Sequence, residues 1–141
     1  RFQEGFLLPD GRSPKNTLVG RMIPQPTVKT IDGVEQKLDD VMGPGFVLLA
    51  IGGNAANTLR GLRAEIWQKL AATPVAISLD DNQSKIVDLN PVILDPEEIS
   101  PRFLEYDGWT LLVRPDRYVA AAFTRVTVAK VETALQNWMT N

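Results

Sequence analysis

Two apolar segments that flank one helical pattern constrain the fold most strongly. Residues 46–51 (FVLLAI) and 75–79 (VAISL) are the apolar runs expected of strands covered on both faces of a sheet. Between them, apolar side chains recur at helical spacing, namely at Leu59, Leu62, Ile66, Trp67 and Leu70. We expect Asn54 or Asn57 to cap this helix and Thr73–Pro74 to end it. Strand, helix and strand in this order predict a parallel, right-handed βαβ unit.

A short hairpin is predicted before this unit. Residues 28–31 (VKTI) have the composition of a strand, and Asp32–Gly33 can form a tight turn because glycine accepts positive φ. Residues 38–42 (LDDVM) then predict one helical turn that is closed by Gly43.

A helix and a second hairpin are predicted after the unit. Ser100–Pro101 opens the helix and Asp107–Gly108 ends it. Residues 109–113 and 118–123 predict antiparallel strands joined by a turn at 114–117. A last helix from Thr124 or Thr127 should turn one set of side chains inward: Val128, Val131, Leu135, Trp138 and Met139.

Residues 80–99 carry the weakest pattern. Residues 80–82 predict a loop, and Ile86–Val87 and residues 92–94 are either short strands or buried loop. The order βαβ, linking helix, ββα is nevertheless that of the thioredoxin fold. We therefore predict an α/β thioredoxin-like domain at 27–141, with a mixed central sheet and helices on both faces. Residues 1–26, rich in turn residues, predict an extended linker segment from a preceding domain.

The chain has no cysteine and no histidine. Thiol redox chemistry, thiolate nucleophiles and cysteine-ligated metal are therefore excluded. The side chain that most often transfers protons near neutral pH is also missing. Any catalysis would have to use carboxylates, lysines, tyrosines or hydroxyl groups.

Thioredoxins place their reactive thiolate at the start of the helix after the first core strand. The corresponding residues here are 52–58 (GGNAANT), which contain no sulfur. The loop before the third core strand, residues 106–109 (YDGW), lacks the proline found there in thioredoxins. Gly52–Gly53–Asn54 could instead cradle an anion, but it lacks the glycine spacing of nucleotide-binding loops, and a flexible turn is the favoured interpretation.

For the other candidate residues, a structural role is favoured over a functional one. The pairs Asp39–Asp40 and Asp80–Asp81 could serve acid–base or cation chemistry, but consecutive side chains diverge, so solvated charge is favoured. The three tryptophans lie at apolar positions of predicted elements and are expected in the core or an interface. Tyr106 and Tyr118 are expected to be partly exposed. Arg114 is expected to pair with a carboxylate such as that of Asp116.

Charge and hydropathy limit the partners. The net charge is −2 with no basic block, so nucleic acid is not an expected partner. No apolar run approaches the ~20 residues of a membrane span, and no secretion signal begins the sequence. We expect a cytoplasmic protein without membrane contact.

Several stretches go beyond the fold pattern. These are residues 9–14 (PDGRSP), 19–28 (VGRMIPQPTV), 32–33 (DG), 38–40 (LDD), 43–49 (GPGFVLL) and 112–120 (LVRPDRYVA). In order and spacing they resemble the C-terminal region of flavoprotein monooxygenases of the 3-(3-hydroxyphenyl)propionate hydroxylase type, and more distantly of phenol 2-monooxygenase. One departure is Arg117, where the family often has glycine.

The resemblance implies a non-catalytic C-terminal domain that serves stability and oligomer contacts. FAD, NADH or NADPH, and the phenolic substrate would be bound by preceding domains of a parent aromatic-ring hydroxylase. The expected partners are those domains and further copies of the chain in a homo-oligomer. No catalytic, cofactor-binding or metal-binding residue can be assigned to this chain. The segment alone is not expected to be an enzyme, whereas the parent is.

Two alternatives stay open. A free-standing, cysteine-free thioredoxin-like module that binds proteins has the same pattern. A hydrolase that uses the aspartates would lose activity when Asp80 or Asp81 is replaced.

Overall fold

A seven-stranded mixed sheet organises the protein. The computed structural model describes residues 5–30, 32–78, 92–94 (backbone only) and 101–140. The strand order is β2-β1-β5-β4-β3-β6-β7, with β3, β4 and β5 parallel and the other neighbours antiparallel. The strands are β1 Thr27–Thr30, β2 Glu35–Lys37, β3 Val47–Ile51, β4 Thr73–Ser78, β5 Val92–Leu94, β6 Thr110–Val113 and β7 Val119–Phe123. The helices are α1 Leu38–Met42, α2 Ala55–Arg60, α3 Glu65–Leu70, α4 Pro101–Glu105 and α5 Val128–Thr140.

The central strand β3 supplies side chains to two cores. All five of its residues are buried, because the sheet is covered on both faces. Val47, Leu49 and Ile51 join a core that includes residues of α1 and α4. Leu48 and Ala50 join a second core with residues of α2, α3 and α5. The alternation of side chains along one strand thus produces the three-layer arrangement that the sequence predicted.

Both predicted hairpins and the βαβ unit are present. Strands β3 and β4 are parallel, and β6 and β7 are antiparallel. Gly33 turns the first hairpin at φ 82°, and its amide donates to the Thr30 carbonyl at 2.9 Å. Residues 92–94, for which strand and buried loop were both open, form a strand between β4 and β1. The predictions for residues 79–91 and 95–100 lie outside the described residues.

The prediction of one helix between β3 and β4 is wrong. Two short helices, α2 and α3, occupy this stretch. The amide of Gly61 closes α2 by donating to the Asn57 carbonyl at 3.1 Å, and Ala71 ends α3 in the left-handed conformation. Thr73–Pro74 therefore begin β4 and do not end a helix, and the Asn54 side chain makes no capping bond. Both helices pack on the same core, so the apolar residues keep their helical spacing across the break between α2 and α3.

The inward face of α5 is also shorter than predicted. Val131 and Leu135 are buried, and Val128 is half-buried. Trp138 and Met139, expected to be buried too, are 37% and 40% exposed. The ring of Phe6, 5.7 Å from that of Trp138 between centroids, covers the tryptophan only in part. No helix among the described residues has the length and hydropathy needed to cross a membrane.

Arg117, the departure from the family pattern, has φ 73°. This left-handed conformation costs a residue with a Cβ about 1 kcal/mol, whereas glycine adopts it freely. The Arg117 side chain offsets that cost: Nε donates to Asp39 Oδ1 at 2.6 Å, and Nη2 donates to the Gly43 carbonyl at the end of α1. The arginine thus ties the β6–β7 turn to α1.

Replacing Arg117 separates the cost of the left-handed backbone conformation from the stabilisation by the side-chain contacts. Arg117→Ala and Arg117→Gly both lose the contacts to Asp39 and Gly43, but only alanine keeps the unfavourable φ. We expect Arg117→Ala to be about 1 kcal/mol less stable than Arg117→Gly in urea unfolding. Equal stabilities would contradict the left-handed conformation at this position.

Candidate functional site

The two loops that form the thiol site of thioredoxins are adjacent here. The Gly52 amide, just after β3, donates to the Ile77 carbonyl at 2.8 Å. The Gly108 amide, in the loop before β6, donates to the Ile51 carbonyl at 2.9 Å. The loop before β6 therefore crosses the end of β3. We call this junction of residues 51–54 and 107–109 the β3 corner.

The β3 corner has no room for a side chain at its first position. A Cβ on Gly52 would lie 2.2 Å from Asp107 Oδ1 and 3.2 Å from the Gly108 nitrogen. Gly52 also has φ 111°, which residues with a Cβ rarely adopt. The Asp107 carboxylate thus packs over the glycine.

The Asp107 carboxylate also disfavours the anion site that was considered at Gly52–Gly53–Asn54. Its negative charge repels an anion at the same loop. Helix α2, which starts at the corner, has six residues and so provides only a short dipole. The geometry favours the tight strand-to-helix turn over the anion cradle.

Of the two aspartate pairs, the structure describes Asp39–Asp40, which is not part of the β3 corner. Asp39 pairs with Arg117, and Asp40 is exposed on α1. Asp80–Asp81 lie outside the described residues. Within the described ranges, no group of three acidic side chains is placed to hold a metal ion. Arg114 pairs with Asp116 as expected, and this hydrogen bond lowers the pKa of the Asp116 carboxyl.

A second polar cluster joins the N-terminal segment to the domain. Tyr106, which was expected to be partly exposed, is fully buried. Its hydroxyl donates to Asp10 Oδ2 at 2.6 Å and accepts from the Leu18 amide at 3.0 Å. Asp10 Oδ1 in turn accepts from the Thr17 hydroxyl at 2.8 Å and the Arg12 amide at 3.1 Å. We call Asp10, Arg12, Thr17 and Tyr106 the tyrosine clasp.

Arg12 extends the clasp over the aromatic rings. Its guanidinium carbon lies 4.0 Å from the centroid of the Tyr106 ring and 4.8 Å from that of Trp109. Its Nη2 donates to the Glu105 carbonyl at 2.7 Å, at the end of α4. The arrangement combines cation–π attraction with a helix C-terminal contact. Burial and the hydrogen bond to Asp10 raise the pKa of Tyr106.

No pattern in the sequence predicted the tyrosine clasp. Asp10 and Tyr106 are separated by 96 positions, and Asp10 lies in a stretch without periodicity. No motif or periodic pattern marks Arg12 or Thr17 in the sequence either. Only the packing of the segment on α4 and on the loop before β6 brings these groups together.

The N-terminal segment also covers the β7 edge of the sheet. The amides of Leu8 and Gly20 donate to the carbonyls of Ala120 and Val119, both at 2.8 Å. The Val119 amide donates back to the Arg21 carbonyl at 2.9 Å. Since an open strand edge invites pairing with other chains, this cover protects β7.

Sequence comparison places this architecture in a family. The model of the HcaD C-terminal domain matches residues 20–138, which include all seven strands and most of α5. The chain belongs to the HcaD C-terminal domain family. The resemblance predicted from the sequence is thereby confirmed.

Relatives of this HcaD C-terminal domain are much longer proteins. The 3-(3-hydroxy-phenyl)propionate/3-hydroxycinnamic acid hydroxylase 2 of Burkholderia vietnamiensis is 34% identical over 133 residues. That match takes in 89% of this chain but 24% of the relative. The chain therefore spans about a quarter of the length of this curated relative.

Solved structures support the fold. The flavin-dependent monooxygenase PieE, solved with FAD and substrate, has a TM-score of 0.62 at 17% identity, over 97% of this chain and 24% of PieE. Peroxidoxin BcpB from Mycobacterium tuberculosis has a TM-score of 0.57 at 19% identity, over 83% and 93% of the two chains. The thioredoxin-like prediction is confirmed, on a chain without cysteine.

Proposed function

We propose that this HcaD C-terminal domain is a non-catalytic accessory domain of an FAD- and NAD(P)H-dependent aromatic-ring monooxygenase. The parent would be of the 3-(3-hydroxyphenyl)propionate hydroxylase type. The observation that carries the proposal is the match to hydroxylases in which the same region makes up about a quarter of the chain. The domain's role would be stability and contacts between subunits.

The β3 corner supports a role without catalysis. Glycine and a packed carboxylate occupy the place where thioredoxins carry out thiol chemistry. The same corner does not fit a flavin or nicotinamide dinucleotide, because the Asp107 carboxylate would face the pyrophosphate and α2 is short. FAD, the nicotinamide and the aromatic substrate are therefore assigned to preceding domains of the parent.

Expression of the complete parent protein tests the proposal. We expect it to hold about one FAD per chain and to oxidise NADH or NADPH faster when 3-(3-hydroxyphenyl)propionate is added. The isolated 141-residue chain should show no flavin absorbance after incubation with FAD. A parent that lacks this domain should keep FAD but lose thermal stability and subunit association, measured by calorimetry and light scattering.

Two results would contradict the proposal. Stoichiometric FAD on the isolated chain would place the cofactor site here. A complete protein without an upstream flavin domain would favour the free-standing interaction module.

A further inference from the structure

The central sheet has two edges, and they differ in how the described residues cover them. At one edge, the N-terminal segment bonds to β7 through the amides of Leu8 and Gly20. At the other, β2 is the outermost strand, and no segment among the described residues pairs with its outer side. We call this outer side of residues 35–37 the β2 edge. An uncovered edge is a template for a further strand.

Two residues of β2 direct their backbone groups outward. The Leu38 amide, directly after the strand, donates to the Pro26 carbonyl on the β1 side at 3.1 Å. Because ladder bonds alternate along antiparallel strands, Gln36 also directs its backbone groups toward β1. The amides and carbonyls of Glu35 and Lys37 therefore point away from the sheet. Both side chains are exposed as well.

The sequence of β2 is complementary to itself. When two copies pair in antiparallel fashion about Gln36, Glu35 of each copy lies directly opposite Lys37 of the other. Each outward amide then donates to a carbonyl of the other copy, and each Glu35 gains an ion pair. A pairing centred on Glu35 or Lys37 instead would place like charges opposite each other. Charges at an edge usually prevent pairing, but these charges match one register of a second copy.

Residues beside the β2 edge fit the same arrangement. Lys29 of β1 lies opposite Glu35 in the ladder and is exposed. In the pair of copies, Glu35 would thus lie between Lys29 of its own chain and Lys37 of the other. Val34, which is 52% exposed, would lie opposite Leu38 of the second copy and lose contact with water.

These observations identify the occupant of the edge. We propose that the β2 edge binds the β2 edge of a second copy of this chain across a two-fold axis at Gln36, so that the two sheets become continuous. The inference rests on the proposed function, under which this domain contributes contacts between subunits. Such a short edge buries much less than the ~1,200 Å² typical of a stable complex, so the pairing belongs in the oligomer of the complete parent protein.

A cysteine on the proposed axis tests the geometry in the complete parent protein. Positions 36 of the two copies would form a non-hydrogen-bonded pair with Cα atoms about 4.5 Å apart, which permits a disulfide. Under mild oxidation, we expect Gln36→Cys to link two copies at position 36, as mass spectrometry of the joined peptides would show. Val126→Cys is the matched control, because Val126 is 88% exposed and lies outside the sheet. It should link no chains in the same time.

Charge reversal in the Gln36→Cys protein tests the register. Glu35→Lys would place lysine opposite lysine, and Lys37→Glu would place glutamate opposite glutamate, so each variant alone should lose most of the disulfide. A mixture of the two variants should recover it in chains of unlike mass, because every facing pair then has opposite charge. This recovery also shows that both variants are folded.

Replacement of Lys37 by proline tests the backbone bonds. Lys37 has φ −76°, which proline adopts without strain, and its amide takes no part in the β1 ladder. In the Gln36→Cys protein, Lys37→Pro should form the disulfide about tenfold more slowly than Lys37→Ala, which keeps the amide. Equal rates would contradict the pairing.

The failure of this inference can be distinguished from failure of the proposed function. An FAD-loaded parent in which Gln36→Cys forms no disulfide at position 36 would overturn the β2 pairing alone. The same holds if Val126→Cys links chains equally fast, or if the mixture of charge variants recovers no disulfide. A complete protein without FAD would contradict the proposed function.

Discussion

Replacing Gly52 by alanine is expected to destabilise the folded chain by about 3 kcal/mol. Alanine would have to adopt φ 111°, and its Cβ would meet both the Asp107 carboxylate and the backbone nitrogen of Gly108. The carboxylate can rotate away, but the Gly108 backbone is held by its bond to Ile51. Urea unfolding of the 141-residue chain measures the loss.

Three further variants divide this effect into its causes. Gly45→Ala serves as the control, because its Cβ would meet nothing within 4 Å and its φ is not positive. Gly108→Ala has φ 88° but open space, so it reports the backbone cost alone. Adding Asp107→Ala to Gly52→Ala should restore only the part due to the carboxylate. If Gly52→Ala were as stable as Gly45→Ala, the close approach at the β3 corner would be wrong.

Removing the Tyr106 hydroxyl is expected to cost about 2 kcal/mol. Tyr106→Phe deletes the bond to Asp10 and leaves the Leu18 amide without its acceptor. The N-terminal segment should then open more often, which hydrogen exchange would detect as faster exchange of the Leu18, Gly20 and Ile23 amides. Tyr118→Phe is the matched control, since that ring is 39% exposed. Unchanged exchange in Tyr106→Phe would contradict the clasp.

The raised pKa of Tyr106 adds a pH dependence to this prediction. A tyrosine that holds its proton more tightly when folded contributes stability that is fully present below its unfolded pKa of 10.0. That contribution is lost as the pH rises through the raised folded value. The stability difference between wild type and Tyr106→Phe should therefore shrink above about pH 10, as urea unfolding in alkaline buffers would show. A stability difference that grows with pH would contradict the raised pKa of Tyr106 in the folded state.

The sequence predicted strands and hairpins correctly where an unbroken apolar run or a clear turn marked them. The apolar run before Gly52 predicted β3, the Asp32–Gly33 turn predicted the first hairpin, and the turn residues 114–117 (RPDR) predicted the second. The break between α2 and α3 was missed because both helices bury the same face, so the apolar spacing continues across Gly61. Trp138 was misplaced for a related reason: spacing defines a face of a helix but not what lies against it.

The amino-acid sequence alone determined the thioredoxin-like order of elements and the absence of thiol and imidazole chemistry, because both follow from residue types and their spacing along the chain. The tertiary structure decided what fills the β3 corner and what holds the N-terminal segment. Asp107 meets Gly52, and Asp10 meets Tyr106, across long stretches of chain. Such contacts depend on how the packed helices and strands are placed relative to one another, and the spacing of residues along the chain does not determine that placement.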